Sequence, residues 1–253
     1  MRALLALLSS AALLAWSVPS ASAQPVDVEL VFLADSSGSI DPGESAFQRM
    51  GHAEALVHPD VLSAIRQGIT GRIAVAYVEW GDAAHQDVVV PWTVIDGAAS
   101  AKAFGDAVIA APRRAFGFNA IGSALETGRQ LIAANGIEGA RKVMDLSGDS
   151  ANSWNGIPIA TARAAALADG IVINGLPILC HEANCGGRPV TYDLEKAFED
   201  KIIGGPGAFV ITAQTRDAFE LAVRRKLILE ISGLPPDERP QARVKRFAED
   251  RSR

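Results

Sequence analysis

Cysteine is scarce in this chain. Cys180 and Cys185, in the stretch LCHEANCGG, are the only two among 253 residues. In an oxidising compartment two such neighbours most simply form a disulfide, which would close a small loop and stabilise modestly. A metal site of Cys180, His181 and Cys185 would lack a fourth ligand, and free thiols are the third reading. Histidine is also rare. His52, His58, His85 and His181 share no spacing with carboxylates that would make a catalytic or metal-binding set. No G-x-S-x-G elbow is present, and SGDS at residues 147–150 has no histidine evidently linked to it. An Asp-nucleophile phosphatase motif of the D-x-D-x-T kind is disfavoured because position 37 is serine. Basic residues are in deficit, with 24 Lys and Arg against 29 Asp and Glu, a formal charge of −5. A nucleic-acid partner, which needs a basic face, is therefore disfavoured. Beyond the first two dozen residues no apolar run is long enough to cross a bilayer.

What is there begins with MRALLALLSSAALLAWSVPSASA, which carries one Arg, an apolar stretch and a small-residue ending at Ala21-Ser22-Ala23. That is the layout of a cleaved secretory signal, so the mature protein is expected to start near Gln24 and to be secreted, most simply into the periplasm. Removing Arg2 leaves −6. The segment from Leu234 to Arg253 holds six basic and four acidic groups, a local +2, so the body carries about −8. Such a body suits a protein that concentrates cations. No internal repeat and no composition break divides it. The expected organisation is a signal over residues 1–23, one domain over 24–233 and a charged, flexible tail over 234–253.

Along the body, strand-like and helix-like stretches alternate. VDVELVF reads as a buried strand, followed by helices in ESAFQRMGHAEALV and PDVLSAI. GRIAVAYVEWG and HQDVVVPWTVI are joined by a link too short for a crossover helix, which predicts an antiparallel edge hairpin. Trp80 and Trp92 at its strand ends are expected to pack in the core. Helices follow in SAKAFGDAVIAA and from Asn119 or Ala120 onward, then a strand in RKVMDLSGD. PIATARAAALADG, TYDLEKAFEDKI and TRDAFELAVRRKLILEIS read as helices, with IVINGLPIL and GAFVITA as strands. Continuous apolar strands between helices predict an α/β fold: a Rossmann-like, doubly wound, mostly parallel sheet with helices on both faces and one antiparallel edge strand.

The stretch LADSSGSID ends the first strand in a carboxylate and spends three hydroxyls on the next four residues. Turn and cap chemistry accounts for such residues. So does cation binding, since Asp35, Ser37 and Ser39 are spaced two apart. In a doubly wound sheet, ligands gather beyond the carboxyl ends of the strands where strand order reverses. Asp149 ends a later strand, and Asn119 starts the helix before it, where it could cap that helix, coordinate a cation, or do both. Two carboxylates about 4 Å apart repel by about 4 kcal/mol at an effective dielectric near 20, a penalty that a divalent cation turns into attraction. An all-oxygen set with few charges favours Mg²⁺ or Mn²⁺ over Zn²⁺.

DVELVFLADSSGSI resembles the first strand and D-x-S-x-S motif of von Willebrand factor A domains, where it forms a metal-ion-dependent adhesion site (MIDAS). That resemblance implies metal ligands at Asp35, Ser37, Ser39, Asn119 and Asp149, with Asn119 where the family more often has Thr. It implies no catalysis, but recognition of a protein whose acidic side chain completes the metal's coordination. YVEWGDAAHQDVVVPWTVI, VMDLSGDSANSWNGIPIATAR, GIVINGLPIL and IIGGPGAFVITAQTRDAFELAVRRKLILEI resemble a narrower secreted bacterial family of unknown function, number eleven ninety-four. Two further readings are a degenerate A-type scaffold that binds partners without metal, and a metal-dependent hydrolase.

Overall fold

The structure is a computed structural model, and it describes residues 24–179, 191–213 and 218–233. The expected signal segment, the Cys180–Cys185 pair and the tail lie outside the described residues. Among the described residues twelve elements follow in order. They are β1 (Gln24–Asp35), α1 (Pro42–Val57), α2 (Pro59–Arg66), β2 (Ile73–Trp80), β3 (Gln86–Ile95), α3 (Ala98–Ala110), α4 (Ile121–Ala133), β4 (Ile137–Gly148), α5 (Ile159–Ala168), β5 (Val172–Pro177), α6 (Leu194–Lys201) and α7 (Phe219–Ser232).

The five strands form one sheet in the order β3-β2-β1-β4-β5. β1 pairs in parallel with β2 and β4, β4 pairs in parallel with β5, and β3 returns antiparallel along β2. The α/β fold and its edge hairpin are as the sequence predicts. Alternate residues of the central strand feed two cores, because side chains on a strand alternate faces. Val28, Leu30 and Phe32 pack with α1, α2, α3 and α7 on one face. Val31 and Leu33 join Met144, Leu146 and Trp80 under α4, α5 and α6 on the other. Trp80 is fully buried and donates its indole N–H to the Leu33 carbonyl at 3.0 Å. The Trp92 indole, partly buried, donates to the Leu131 carbonyl at 3.1 Å.

The expected strand GAFVITA is not a continuous one. Val210 bridges to Gly175 of β5 and Ala213 to Ile178 just beyond it, in a single register. Pro177 lies between those bridges and has no N–H to donate, so the ladder is interrupted. The Asn174 side chain also takes the Phe209 N–H at 3.1 Å. No helix among the described residues is long and apolar enough to cross a membrane.

Candidate metal centre

Strand order reverses beside β1, so the carboxyl ends of β1 and β4 meet at the switch point of the sheet. Asp35 is the last residue of β1, and Asp149 follows the last residue of β4. Their closeness shows at Gly148: a Cβ there would lie 3.1 Å from Asp35 Oδ2 and 3.2 Å from the Trp80 ring. Any side chain at position 148 would press on the carboxylate. Glycine leaves the two strand ends room to converge.

The loop after Asp35 is fixed atom by atom. Ser36 N–H donates to the Trp80 carbonyl at 2.8 Å, and Ser37 N–H donates to Asp35 Oδ1 at 2.8 Å. Gly38 N–H donates to the Gly117 carbonyl at 2.7 Å, drawing in the loop that carries Asn119. Gly117 has φ +97°, a left-handed conformation open to glycine but costly for other residues. The Ser37 and Ser39 hydroxyls lie 3.3 Å apart. Asp41 caps α1 in a capping box with Glu44, which fixes where the loop ends.

These hydrogen bonds leave two oxygens without partners. Asp35 Oδ2 and Asp149 Oδ1 are buried and have no hydrogen-bond partner among the described residues. Burial pushes the Asp35 carboxyl well above the usual carboxylate range and the Asp149 charge pushes it further, while hydrogen bonds from Ser37 and, more weakly, from the Asp149 backbone only partly offset both. Burial likewise raises Asp149, and a hydrogen bond with Ser39 pulls it down. Four of the five expected residues, Asp35, Ser37, Ser39 and Asp149, are thus linked through direct interactions. Asn119 is buried on the adjoining loop, where its backbone carbonyl accepts from Trp154 N–H at 2.8 Å. It does not cap α4, because the N-cap position is Ala120.

Sequence reasoning missed the groups that hold this loop in place. Arg113 donates to Ser36 Oγ at 2.8 Å and to the carbonyls of Ser36, Ser37 and Ile40 at 2.7, 3.2 and 2.9 Å. The buried Arg49 pairs with Glu79 at 2.6 Å and also bonds the carbonyl of Ala111, so the segment leading to Arg113 is itself anchored. Gln48 of α1 donates to the Asp35 carbonyl at 3.1 Å and accepts from Ser147 Oγ at 3.4 Å, tying β1 to β4. The stretch PRRAFGFN carries no periodic signal, and nothing local to it announces a contact with residues more than seventy positions away.

Chemically, the linked residues offer two carboxylates and two hydroxyls, all oxygen donors for a hard cation, with Asn119 buried on the adjoining loop. The two orphaned carboxylate oxygens are what a cation would engage, so the residues present fit such an ion.

Residues 25–235 match the model of the family described as "Protein of unknown function (DUF1194)", and the chain belongs to that family. No curated protein is similar enough in sequence to count as a relative. Among solved structures, the fold resembles the von Willebrand factor domain of the type V pili tip protein Mfa5 from Porphyromonas gingivalis. The TM-score is 0.54 at 10% identity, over 85% of this chain and 99% of that one. It also resembles the pilus adhesin SpaC from Lactobacillus rhamnosus GG, with a TM-score of 0.57 at 15% identity, over 83% of this chain and 31% of SpaC. A third likeness is to proximal thread matrix protein 1 from the mussel byssus, solved with a zinc-occupied MIDAS motif. There the TM-score is 0.54 at 16% identity, over 80% of this chain and 46% of that one. The chain thus spans less than half the length of the second and third. Likeness at identities this low speaks to the fold alone, which is von Willebrand factor A-like.

Proposed function

We propose that this member of the DUF1194 family holds a divalent cation at Asp35, Ser37, Ser39, Asn119 and Asp149. Through that centre it recognises a protein partner, in the periplasm or outside the cell. One observation carries the reading: Asp35 Oδ2 and Asp149 Oδ1 are buried, unpartnered and electrostatically opposed at the switch point of the sheet. Leaving a buried acceptor unsatisfied costs about 1–3 kcal/mol, more when it is charged, and two such acceptors opposed across one strand switch are what an added cation would satisfy. Mg²⁺ or Mn²⁺ suits the donor set, because every donor is oxygen and only two are charged. When bound, such an ion neutralises both carboxylates and offers a Lewis-acidic position to an incoming acidic side chain. Ser37, Ser39 and Asn119 would hold it through neutral oxygens, and Asp35 and Asp149 directly or through water.

The role is binding rather than catalysis. The three described histidines bond elsewhere, His52 with the Gln48 carbonyl, His58 with Arg224 and His85 with Asp82, so none stands as a base beside Ser37 or Ser39. The likeness to a pilus adhesin and to a pilus tip protein supports an extracytoplasmic, protein-recognising role. The test is a thermal melt with Mg²⁺ and with EDTA. The expected result is a melting point raised by Mg²⁺, with the rise lost in Asp35→Ala. A melt indifferent to both additions overturns the metal reading and leaves a scaffold that binds without an ion.

A further inference from the structure

Two loops carry the candidate ligands Asn119 and Asp149, and each also exposes a large aromatic side chain. Phe118 and Trp154 are both 73% exposed. They flank one hydrogen bond, from Trp154 N–H to the Asn119 carbonyl at 2.8 Å. The two loops therefore meet, and both exposed side chains stand at that junction. Isolated exposed apolar residues, such as Ile69 at the opposite end of the sheet, need no explanation, but paired aromatics beside a binding centre mark an interaction surface. From this, and resting on the proposed metal-dependent reading, we infer that Phe118 and Trp154 form the specificity surface of the centre. They would select a protein segment in which the metal-seeking Asp or Glu is flanked by a large apolar side chain.

The surroundings favour that occupant. Several polar groups beside the rings make bonds within the protein. Ser153 Oγ bonds the Asn155 carbonyl at 3.2 Å, Asn155 Oδ1 accepts from Ala83 N–H at 3.1 Å, and Asn152 Nδ2 donates to the Tyr192 hydroxyl at 3.4 Å. The two exposed rings offer a visitor apolar surface that pairs with large apolar side chains. Charge complementarity supplies the other half of the recognition: a carboxylate for the cation of the proposed centre. The Tyr192 hydroxyl accepts the Ala151 N–H at 3.0 Å and so braces the Trp154 loop, which lets the surface meet its partner preformed.

The experiment uses the full secreted chain on an array of synthetic peptides. Each peptide has one central Asp, flanked by Leu, Phe or Trp in one set and by Ser in the other, and is probed with Mg²⁺ and with EDTA. Buried aromatic anchors contribute enough to predict retention about tenfold or more stronger on the apolar-flanked set. In Phe118→Ser/Trp154→Ser that preference should vanish, while the Mg²⁺-induced rise in melting point persists, because neither ring packs in the core. Equal retention of both sets, an unchanged preference in the double variant, no retention at all, or selection of glycans on a parallel array overturns the inference. A missing Mg²⁺ response sinks the metal reading instead. Should apolar selection through Phe118 and Trp154 survive that outcome, the aromatic surface stands and its acidic requirement falls.

Discussion

Asp149→Asn should change sign with the metal. In the metal-free protein the substitution removes one of two opposed carboxylates, keeps the side chain's shape, and adds an N–H donor beside Asp35, whose Oδ2 lacks one. Two full charges about 4 Å apart repel by about 4 kcal/mol at an effective dielectric near 20. Part of that repulsion is already relieved, because both carboxyls hold their protons more tightly than usual. A net gain of about 2 kcal/mol in EDTA is therefore expected, worth about 4–8 °C for a domain of this size. With Mg²⁺ at about a thousand times its dissociation constant, wild type should gain about 4 kcal/mol by mass action. The variant, having lost a ligand, should gain little. Differential scanning calorimetry should thus show Asp149→Asn melting above wild type in EDTA and below it in saturating Mg²⁺. If the variant melts lower than wild type by the same margin in both buffers, Asp149 is an ordinary structural acceptor, and the opposition of the two carboxylates is not what the site stores.

Arg113→Ala removes the group that gathers the carbonyls of Ser36, Ser37 and Ile40, so Mg²⁺ affinity by titration calorimetry should fall about tenfold, the equivalent of one charge-assisted hydrogen bond. Arg113→Lys should recover only part of it, since an ammonium cannot span the same fan of acceptors; unchanged affinity in Arg113→Ala would show the loop holds itself. Glu230 is buried against Lys226, Asp145 and Asn174, and its carboxyl is pushed up to about 7, by burial first and the Asp145 charge next. Because the folded state keeps that proton to higher pH than the unfolded chain does, wild-type stability should fall between about pH 4.5 and 7, by up to about 3 kcal/mol. Glu230→Gln should flatten that slope in urea titrations across the range, and a parallel pH profile would refute the assignment. In Gly122→Ala the new Cβ would overlap the Ile157 carbonyl oxygen, so a loss of about 1–3 kcal/mol is expected in urea denaturation; a neutral result would mean the 157–158 turn moves freely.

How much of this could be read in advance divides along one line. Periodicity and turn residues locate elements whose environment is uniform, so the sheet and its edge hairpin were legible from apolar runs and short links. The stretch GAFVITA has a strand's composition, but its pairing depends on the neighbouring segment. Pro177 on β5 withholds one donor, and the Asn174 side chain diverts another. A strand is a property of two segments, and the pattern of one cannot report the backbone chemistry of the other.

The site divides in the same way. Asp35, Ser37 and Ser39 are legible because the end of a parallel strand is a local feature with a general consequence for ligands, and Asp149 is legible for the same reason one strand away. The braces were not legible, because they are defined by distance in sequence: Arg113 reaches back seventy-seven residues to Ser36, and Ser147 reaches ninety-nine to Gln48. Yet those braces make the orphaned oxygens possible. With the Asp35 carbonyl held by Gln48, its Oδ1 held by Ser37 and the loop carbonyls held by Arg113, the Asp35 carboxylate cannot turn away from Asp149 to find a donor. A looser loop would relax, satisfy both oxygens and lose the feature that the proposed cation would engage. The rigidity that makes the site costly without metal is the same rigidity that would give a cation its advantage there.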